Sequence, residues 1–141
     1  MSHRIAIIQS EFNDEVTGGL RKGALAVLRE AGIERIAEFK APGAFEIPLI
    51  AKKLALSGKF DGVICLGCVI KGDTAHFEFI SLGAAMGIQL AALETGVPVS
   101  FGILTTYTDE QAQVRSADDA HNKGREAASA VLASLKTLAM I

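Results

Sequence analysis

Cysteine is scarce in this chain: the only two, Cys65 and Cys68, stand C-x2-C inside one apolar run. A redox C-x-x-C pair normally opens a helix, whereas this one lies in an extended pattern. Residues three apart on a strand point to opposite faces of a sheet. No second Cys or His pair is present to complete a tetrahedral zinc site, so no metal is expected. The pair reads as two small buried hydrophobes. Positive charge is not in excess either. Lys and Arg number 14 against 16 Asp and Glu, a net charge of -2. That balance disfavours a general nucleic-acid binder. No apolar stretch reaches the roughly 18 residues that a membrane helix needs, so no membrane partner is expected. The opening MSHRIAIIQS enters a strand pattern at once and lacks the three-part form of a signal peptide, which implies a cytoplasmic chain. There is no Walker loop, no G-x-G-x-x-G fingerprint and no Ser-His-Asp order, which weighs against a nucleoside triphosphatase or a Rossmann dehydrogenase. Repeats, low-complexity segments and linkers are also missing, so 1–141 reads as one domain.

What is present is apolar material. Hydrophobic residues make up 50% of the 141 and charged residues 21%, enough for a proper core. A mean hydropathy of +0.34 is high for a small soluble domain. A homo-oligomer would absorb the surplus, as would an unusually rich core. The pattern alternates between strand and helix periods. Strands are expected at Arg4–Ile8, Ile33–Lys40, Gly62–Ile70 and Val99–Leu104, the last ending at Thr105-Thr106. The second is the most polar and suits a sheet edge. Helices are expected from Asn13 or Asp14 to Ala31, over Ala44–Ser57 with Pro48 near its start, over His76–Glu94, over Asp109–Arg115 and from Gly124 to about Ala139. This order predicts an α/β fold, a three-layer αβα sandwich on a four-stranded parallel sheet, flavodoxin-like. The His76–Glu94 segment is apolar almost all round, as a helix buried on more than one face must be. In so small a chain that points to a subunit contact. Gly83 and Gly87 on it would permit a close approach, either of a neighbour or within the subunit.

In a parallel sheet the carboxyl ends of the strands share one rim, where ligands bind. Phe12 and Asn13 follow the first strand and Pro42 to Glu46 the second. Lys71 to His76 follow the third, and Thr105-Thr106 the fourth. The third stretch, GCVIKGDTAHFEF, stands out. A buried strand stops at Lys71-Gly72-Asp73-Thr74, and His76 opens a helix whose free amides make an anion seat. An aromatic face, a carboxylate at Glu46, a basic anion seat and an imidazole therefore converge. A planar heterocycle, a polyhydroxyl arm and a phosphate would each find a partner.

These residues carry a resemblance. P-G-A-F-E-I-P at Pro42 to Pro48 and G-C-V-I-K-G-D-T-A-H-F at Gly67 to Phe77 closely resemble signatures of the lumazine synthase family. Further blocks are S-E-F-N at Ser10 to Asn13, P-V-S-F-G-I-L-T-T at Pro98 to Thr106, E-Q-A-Q-V-R at Glu110 to Arg115 and N-K-G at Asn122 to Gly124. They fall in family order across nearly the whole chain. The resemblance implies condensation of 5-amino-6-(D-ribitylamino)uracil with 3,4-dihydroxy-2-butanone 4-phosphate, with no metal or organic cofactor. It implies that Phe12 stacks on the pyrimidine and that Ala44 and Glu46 hold the ribityl chain. Val69 and Ile70 would line the ring's other side. Lys71, Gly72, Asp73 and Thr74 would face phosphate, and His76 would transfer protons. Phe101, Arg115 and Lys123 resemble residues supplied by a neighbouring subunit, with Arg115 on the phosphate. Active sites would then lie at subunit interfaces of a homo-oligomer.

The chain also departs from the family pattern. Lys71 and Asp73 stand where Arg and Glu are commoner, keeping the charge signs but losing a bidentate fork and one methylene. Ser116 to His121 replaces the usual small and basic residues. Its Asp118-Asp119 pair would weaken an adjacent anion site unless it faces solvent. The chain starts almost at its first strand, without the extension that pairs with a neighbour's sheet in many members. A free pentamer is therefore expected rather than an icosahedral shell. Other readings are a catalytically weak paralogue that carries or senses lumazine or flavin, and a flavodoxin-like electron carrier. The second needs a Ser/Thr-rich loop where Gln9-Ser10-Glu11-Phe12 stands. An archaeal-type riboflavin synthase shares the architecture but matches the Pro42–Pro48 and His76 blocks less well.

Overall fold

A computed structural model describes residues 2–141. Strands β1 (Arg4–Ser10), β2 (Arg35–Ala41), β3 (Gly62–Ile70) and β4 (Val99–Thr106) alternate with helices α1 (Asp14–Glu30), α2 (Ile47–Leu56) and α3 (His76–Thr95). Helices α4 (Asp109–Ser116) and α5 (Lys123–Leu138) close the chain. The four strands form one parallel sheet in the order β2-β1-β3-β4. Inner strands must be apolar on both faces, and RIAIIQS and GVICLGCVI are. The more polar β2 lies at an edge, as its composition requires.

Alternate residues of each strand feed two cores. Ile5, Ile7, Ile64, Leu66, Cys68 and Leu104 pack against Leu20, Ala24, Leu28, Ala128 and Val131, so α1, α4 and α5 cover that face. Ala6, Ile8, Val63, Cys65 and Ile103 pack against Ile47, Ala51, Ala84, Ile88 and Ala91, so α2 and α3 cover the other. This is the expected three-layer αβα sandwich. Cys65 and Cys68 lie in opposite cores, as the strand period demands, and both are free thiols. Burial raises the Cys65 thiol pKa and pushes that of Cys68 up to about 11, with the Asp109 carboxylate adding to the latter, so neither acts as a thiolate.

Some boundaries differ from the sequence reading, each for a local reason. β1 runs on to Ser10, because Gln9 and Ser10 stay paired with Lys40 and Ala41 of β2, and the buried Gln9 side chain donates to Thr17 Oγ1 at 3.1 Å. β2 starts two residues late: the Ile33 N–H still closes α1 on Leu28 O at 2.9 Å, around Gly32 at φ +77°. The helix expected from Ala44 begins as one 3-10 turn, Ala44–Glu46, before α2 starts with Pro48 in its first turn. Asn13 does not cap α1 with its side chain. It sits at φ 56°, a left-handed conformation that Asn tolerates, and its side chain reaches elsewhere.

Helix α3 corrects one expectation and decides another. It is long and apolar enough, by length and composition alone, to cross a membrane. In the fold it is one layer of the sandwich, and its Glu94 pairs with Lys52 of α2 at 3.0 Å. The glycine face is intrasubunit. A Cβ at Gly87 would lie 2.7 Å from Pro48 Cβ, and one at Gly83 3.1 Å from the Phe45 ring. The glycines thus let α2 and the turn before it lie directly on α3. Phe79, Leu82, Met86, Leu90 and Leu93 are exposed on this chain.

Candidate active site

The strand order reverses direction at β1, so the crevice between the carboxyl ends of β1 and β3 is the switch point where ligands bind in open α/β sheets. The Asn13 amide bridges that crevice, donating to Cys68 O at 3.2 Å. This contact holds the loop after β1, and the neighbouring Phe12 stands at the rim, 68% exposed as a residue. The loop after β2 meets it there. A Cβ at Gly43 would lie 3.2 Å from both Phe12 Cδ2 and Glu46 Oε1. Glycine at this position lets the aromatic face and the carboxylate approach one another. Ala44 is buried just behind them, while Val69 and Ile70 emerge half-buried at the end of β3. An exposed aromatic, a carboxylate and an apolar strand end thus stand near one another at this rim.

The turn after β3 is exposed from Lys71 through His76. Its start is pinned by the Lys71 N–H donating to Thr106 O at 2.9 Å. The His76 N–H donates to Thr74 Oγ1 at 3.3 Å, so the hydroxyl ties the turn to the first residue of α3. Gly72, Asp73 and Thr74 therefore lie against a helix amino end, as an anion seat requires. The Lys71 side chain reaches the first turn of α3. Its Nζ lies 2.9 Å from Glu78 Oε1 and 5.8 Å from the centroid of the Phe77 ring, which in turn lies 6.0 Å from the Tyr107 ring. The hydrogen bond to Glu78 raises the lysine pKa and lowers that of the carboxylate. Lys71 thus fastens the two ends of the turn together.

Phe101, Arg115 and Lys123 come together elsewhere. They line a cavity of about 430 Å³ between the end of β4, the last turn of α4 and the start of α5. None of Phe12, Ala44, Glu46, Val69 or His76 lines it. Arg115 donates to Gln111 O at 3.0 Å, and Lys123 Nζ lies 2.9 Å from Glu126 Oε1. Two further ionisable residues line this cavity, Glu126 and His121, beside Thr105 and Thr106 of β4. Glu126 was legible as the i+3 partner of Lys123 on a helix, and His121 only as part of a departure from the family pattern. The Asp118-Asp119 pair does not line the cavity. Asp119 turns back on its own loop, where Oδ1 accepts the His121 N–H at 2.8 Å.

Asn122 fixes the whole corner. It is 1% exposed. Its Oδ1 accepts from Gly124 N at 2.8 Å and Arg125 N at 3.1 Å, capping α5. Its Nδ2 faces Gly19 O, Ser116 O and Ala117 O at 2.9 to 3.1 Å. α1 accepts this corner through glycine, since a Cβ on Gly124 would fall 1.9 Å from Leu20 O. A larger cavity of about 600 Å³ lies between the end of α3, the start of β4 and α5. It is mainly apolar and none of the expected site residues lines it.

The sequence model of the family described as 6,7-dimethyl-8-ribityllumazine synthase matches residues 2–139. The chain belongs to that family. It is 62% identical over 140 residues to 6,7-dimethyl-8-ribityllumazine synthase 1 of Caulobacter vibrioides, covering 98% of this chain and 92% of the relative. It is 53% identical over 131 residues to the 6,7-dimethyl-8-ribityllumazine synthase of Chloroherpeton thalassium, covering 92% and 84%. With the enzyme of that name from Nitratidesulfovibrio vulgaris the identity is 48% over 137 residues, covering 96% and 88%. As a lumazine synthase family member the chain carries its expected site residues on two separate surfaces, one on the β1–β3 rim and one beside α4 and α5.

Proposed function

We propose that the chain is a single-domain subunit of a homo-oligomeric enzyme that makes 6,7-dimethyl-8-ribityllumazine. It condenses 5-amino-6-(D-ribitylamino)uracil with 3,4-dihydroxy-2-butanone 4-phosphate, and phosphate and water leave. The substrate amine attacks the ketone and a Schiff base forms. Phosphate is then eliminated and the ring closes. Each step moves a proton, which an imidazole at the rim can supply or accept, and His76 takes that role. Phe12 stacks on the pyrimidine, Val69 and Ile70 close its other side, and Glu46 beside Ala44 accepts hydroxyl hydrogens of the ribityl chain. The amide turn Gly72 to Thr74 and the Arg115 guanidinium hold the phosphate, with Arg suited by its planar fork. No metal or organic cofactor takes part. Much of the rate comes from holding two reactants in register, worth about 7–11 kcal/mol at best.

The observation that carries this reading is the division of the site. Phe101, Arg115 and Lys123 line one cavity, and Phe12, Glu46 and His76 stand apart from it on the rim. A neighbouring copy that brings its Arg115 cavity against this rim completes one site per interface. The exposed stripe Phe79, Leu82, Met86, Leu90 and Leu93 on α3 offers a seam for such neighbours. Any closed ring satisfies both demands in every copy, and a free pentamer is the ring we propose.

A condensation assay on wild type, Arg115→Ala and His76→Ala tests the reading, with product followed by absorbance. Each variant alone loses most activity. Mixed oligomers of the two regain part of it, because some interfaces pair an intact rim with an intact cavity. A mixture no more active than its parts defeats the shared site. A well-folded wild type that binds lumazine but makes none favours the carrier or sensor reading instead.

A further inference from the structure

The cavity that Arg115 lines is short of positive charge for a phosphate dianion. Arg115, from α4, brings one charge, and its only hydrogen bond among the described residues is to a backbone carbonyl. Lys123 and Glu126, both from α5, are paired at 2.9 Å and largely cancel. The β4 wall offers Thr105 and Thr106, which carry no charge. One other titratable group faces the space: the His121 imidazole. Its backbone is held on both sides, by Asp119 Oδ1 at its own N–H and by the buried Asn122 that follows. Among the described residues its ring makes no hydrogen bond, and only its backbone N–H is engaged. The Asp119 carboxylate, which would oppose an anion, is engaged by that backbone N–H instead.

We infer that His121 is a second phosphate-binding group of this site, acting as an imidazolium beside Arg115, so that affinity for the phosphorylated substrate falls as His121 loses its proton. The inference rests on the reading that this cavity seats the phosphate. An imidazolium N–H donates a charge-assisted hydrogen bond to a phosphate oxygen, and neutral imidazole gives up the charge. The loop from Ser116 to His121 therefore does not leave the site more acidic. It places a proton-dependent cation at the cavity and turns its Asp119 carboxylate aside.

The test uses the assembled full-length chain, with inorganic phosphate and sulfate as competitive probes of the phosphorylated substrate. Sulfate keeps one charge across neutrality, so any pH effect on its binding belongs to the protein. His121→Gln should weaken both anions about tenfold on the acid side of neutrality and flatten the pH dependence seen with sulfate. His121→Lys should restore affinity without the pH dependence. KM for the phosphorylated substrate should rise in His121→Gln while that for the pyrimidine stays put, a split that mere loosening of the loop would not give. If Arg115→Ala weakens the anions and His121→Gln binds them with the wild-type pH profile, the His121 role is wrong and the phosphate seat stands. If Arg115→Ala leaves anion binding unchanged too, the cavity does not seat phosphate and the underlying reading falls with it.

Discussion

Replacing Asn122 should be among the costliest single changes in this chain, although nothing about the residue is chemical. Asn122→Ala removes the cap of α5, where Oδ1 accepts from Gly124 N and Arg125 N. Losing such a cap costs about 1 kcal/mol. It also strips the donor from Gly19 O, Ser116 O and Ala117 O. One amide has two hydrogens, so two of those bonds are firm, and losing each costs about 1 kcal/mol, since the carbonyls are only partly buried and Ala117 O keeps the Asp119 N–H. The sum is about 3 kcal/mol. Asn122→Ser keeps an oxygen that can cap the helix but loses the donors, so it should recover about 1 kcal/mol of that loss. Urea unfolding followed by circular dichroism would measure both, at one protein concentration because assembly contributes to apparent stability. The substitution should also weaken phosphate binding, since Arg115 and Lys123 lie on either side of this corner. A loss of under about 1 kcal/mol in Asn122→Ala, or no recovery in Asn122→Ser, would refute the hydrogen-bond accounting.

Three more outcomes follow from other parts of the fold. Lys71→Gln and Glu78→Gln should raise KM for the phosphorylated substrate equally and non-additively, because each breaks the same clamp on the turn; a far larger effect of Lys71→Gln in steady-state kinetics would make Lys71 a direct phosphate ligand. Gly87→Ala should destabilise by about 1–3 kcal/mol in thermal unfolding, since its Cβ meets Pro48 Cβ at 2.7 Å, while Gly83→Ala faces a movable ring at 3.1 Å and should cost less. The Arg21 guanidinium, with Nη2 3.0 Å from Glu38 Oε2, holds the Glu38 carboxyl below the usual glutamate range. That contribution is complete above the ordinary glutamate pKa and disappears as pH falls through the lowered value. The stability of wild type over Glu38→Gln should therefore shrink with acidification. Both side chains are well exposed, so it should stay under about 1 kcal/mol, and a gap that widens in acid would reverse the assigned sign.

Much of this fold is legible without coordinates because strand and helix periods differ so plainly. GVICLGCVI reads as a strand buried on both faces, and it is the inner strand β3. The polar alternation of RIAEFKA reads as an edge, and it is one. Asn13 misleads because a left-handed residue and a capping residue look alike in sequence; the difference lies in Cys68 O, 55 residues away, which takes its side chain. Gly83 and Gly87 allow a close approach by any backbone, and only the position of Pro48 and Phe45 says whose. Lys71 carries a charge that suits an anion seat, and only the fold shows that Glu78, in the first turn of α3, pairs with it.

Local patterning by itself determines the order of elements, the parallel sheet and the rim on which Phe12, Glu46 and His76 must stand, because these depend on periodicity and on crossover geometry. The family motifs supply the chemistry that such a rim can perform. The tertiary structure alone decides how the remaining residues are shared out. Arg115, His121 and Lys123 meet because Asn122 bonds to Gly19 of α1, 103 residues earlier, and because glycine lets α5 lie against Leu20. Such contacts join residues with no common period or spacing, so their pairing is set by three-dimensional packing and leaves no trace in the linear pattern.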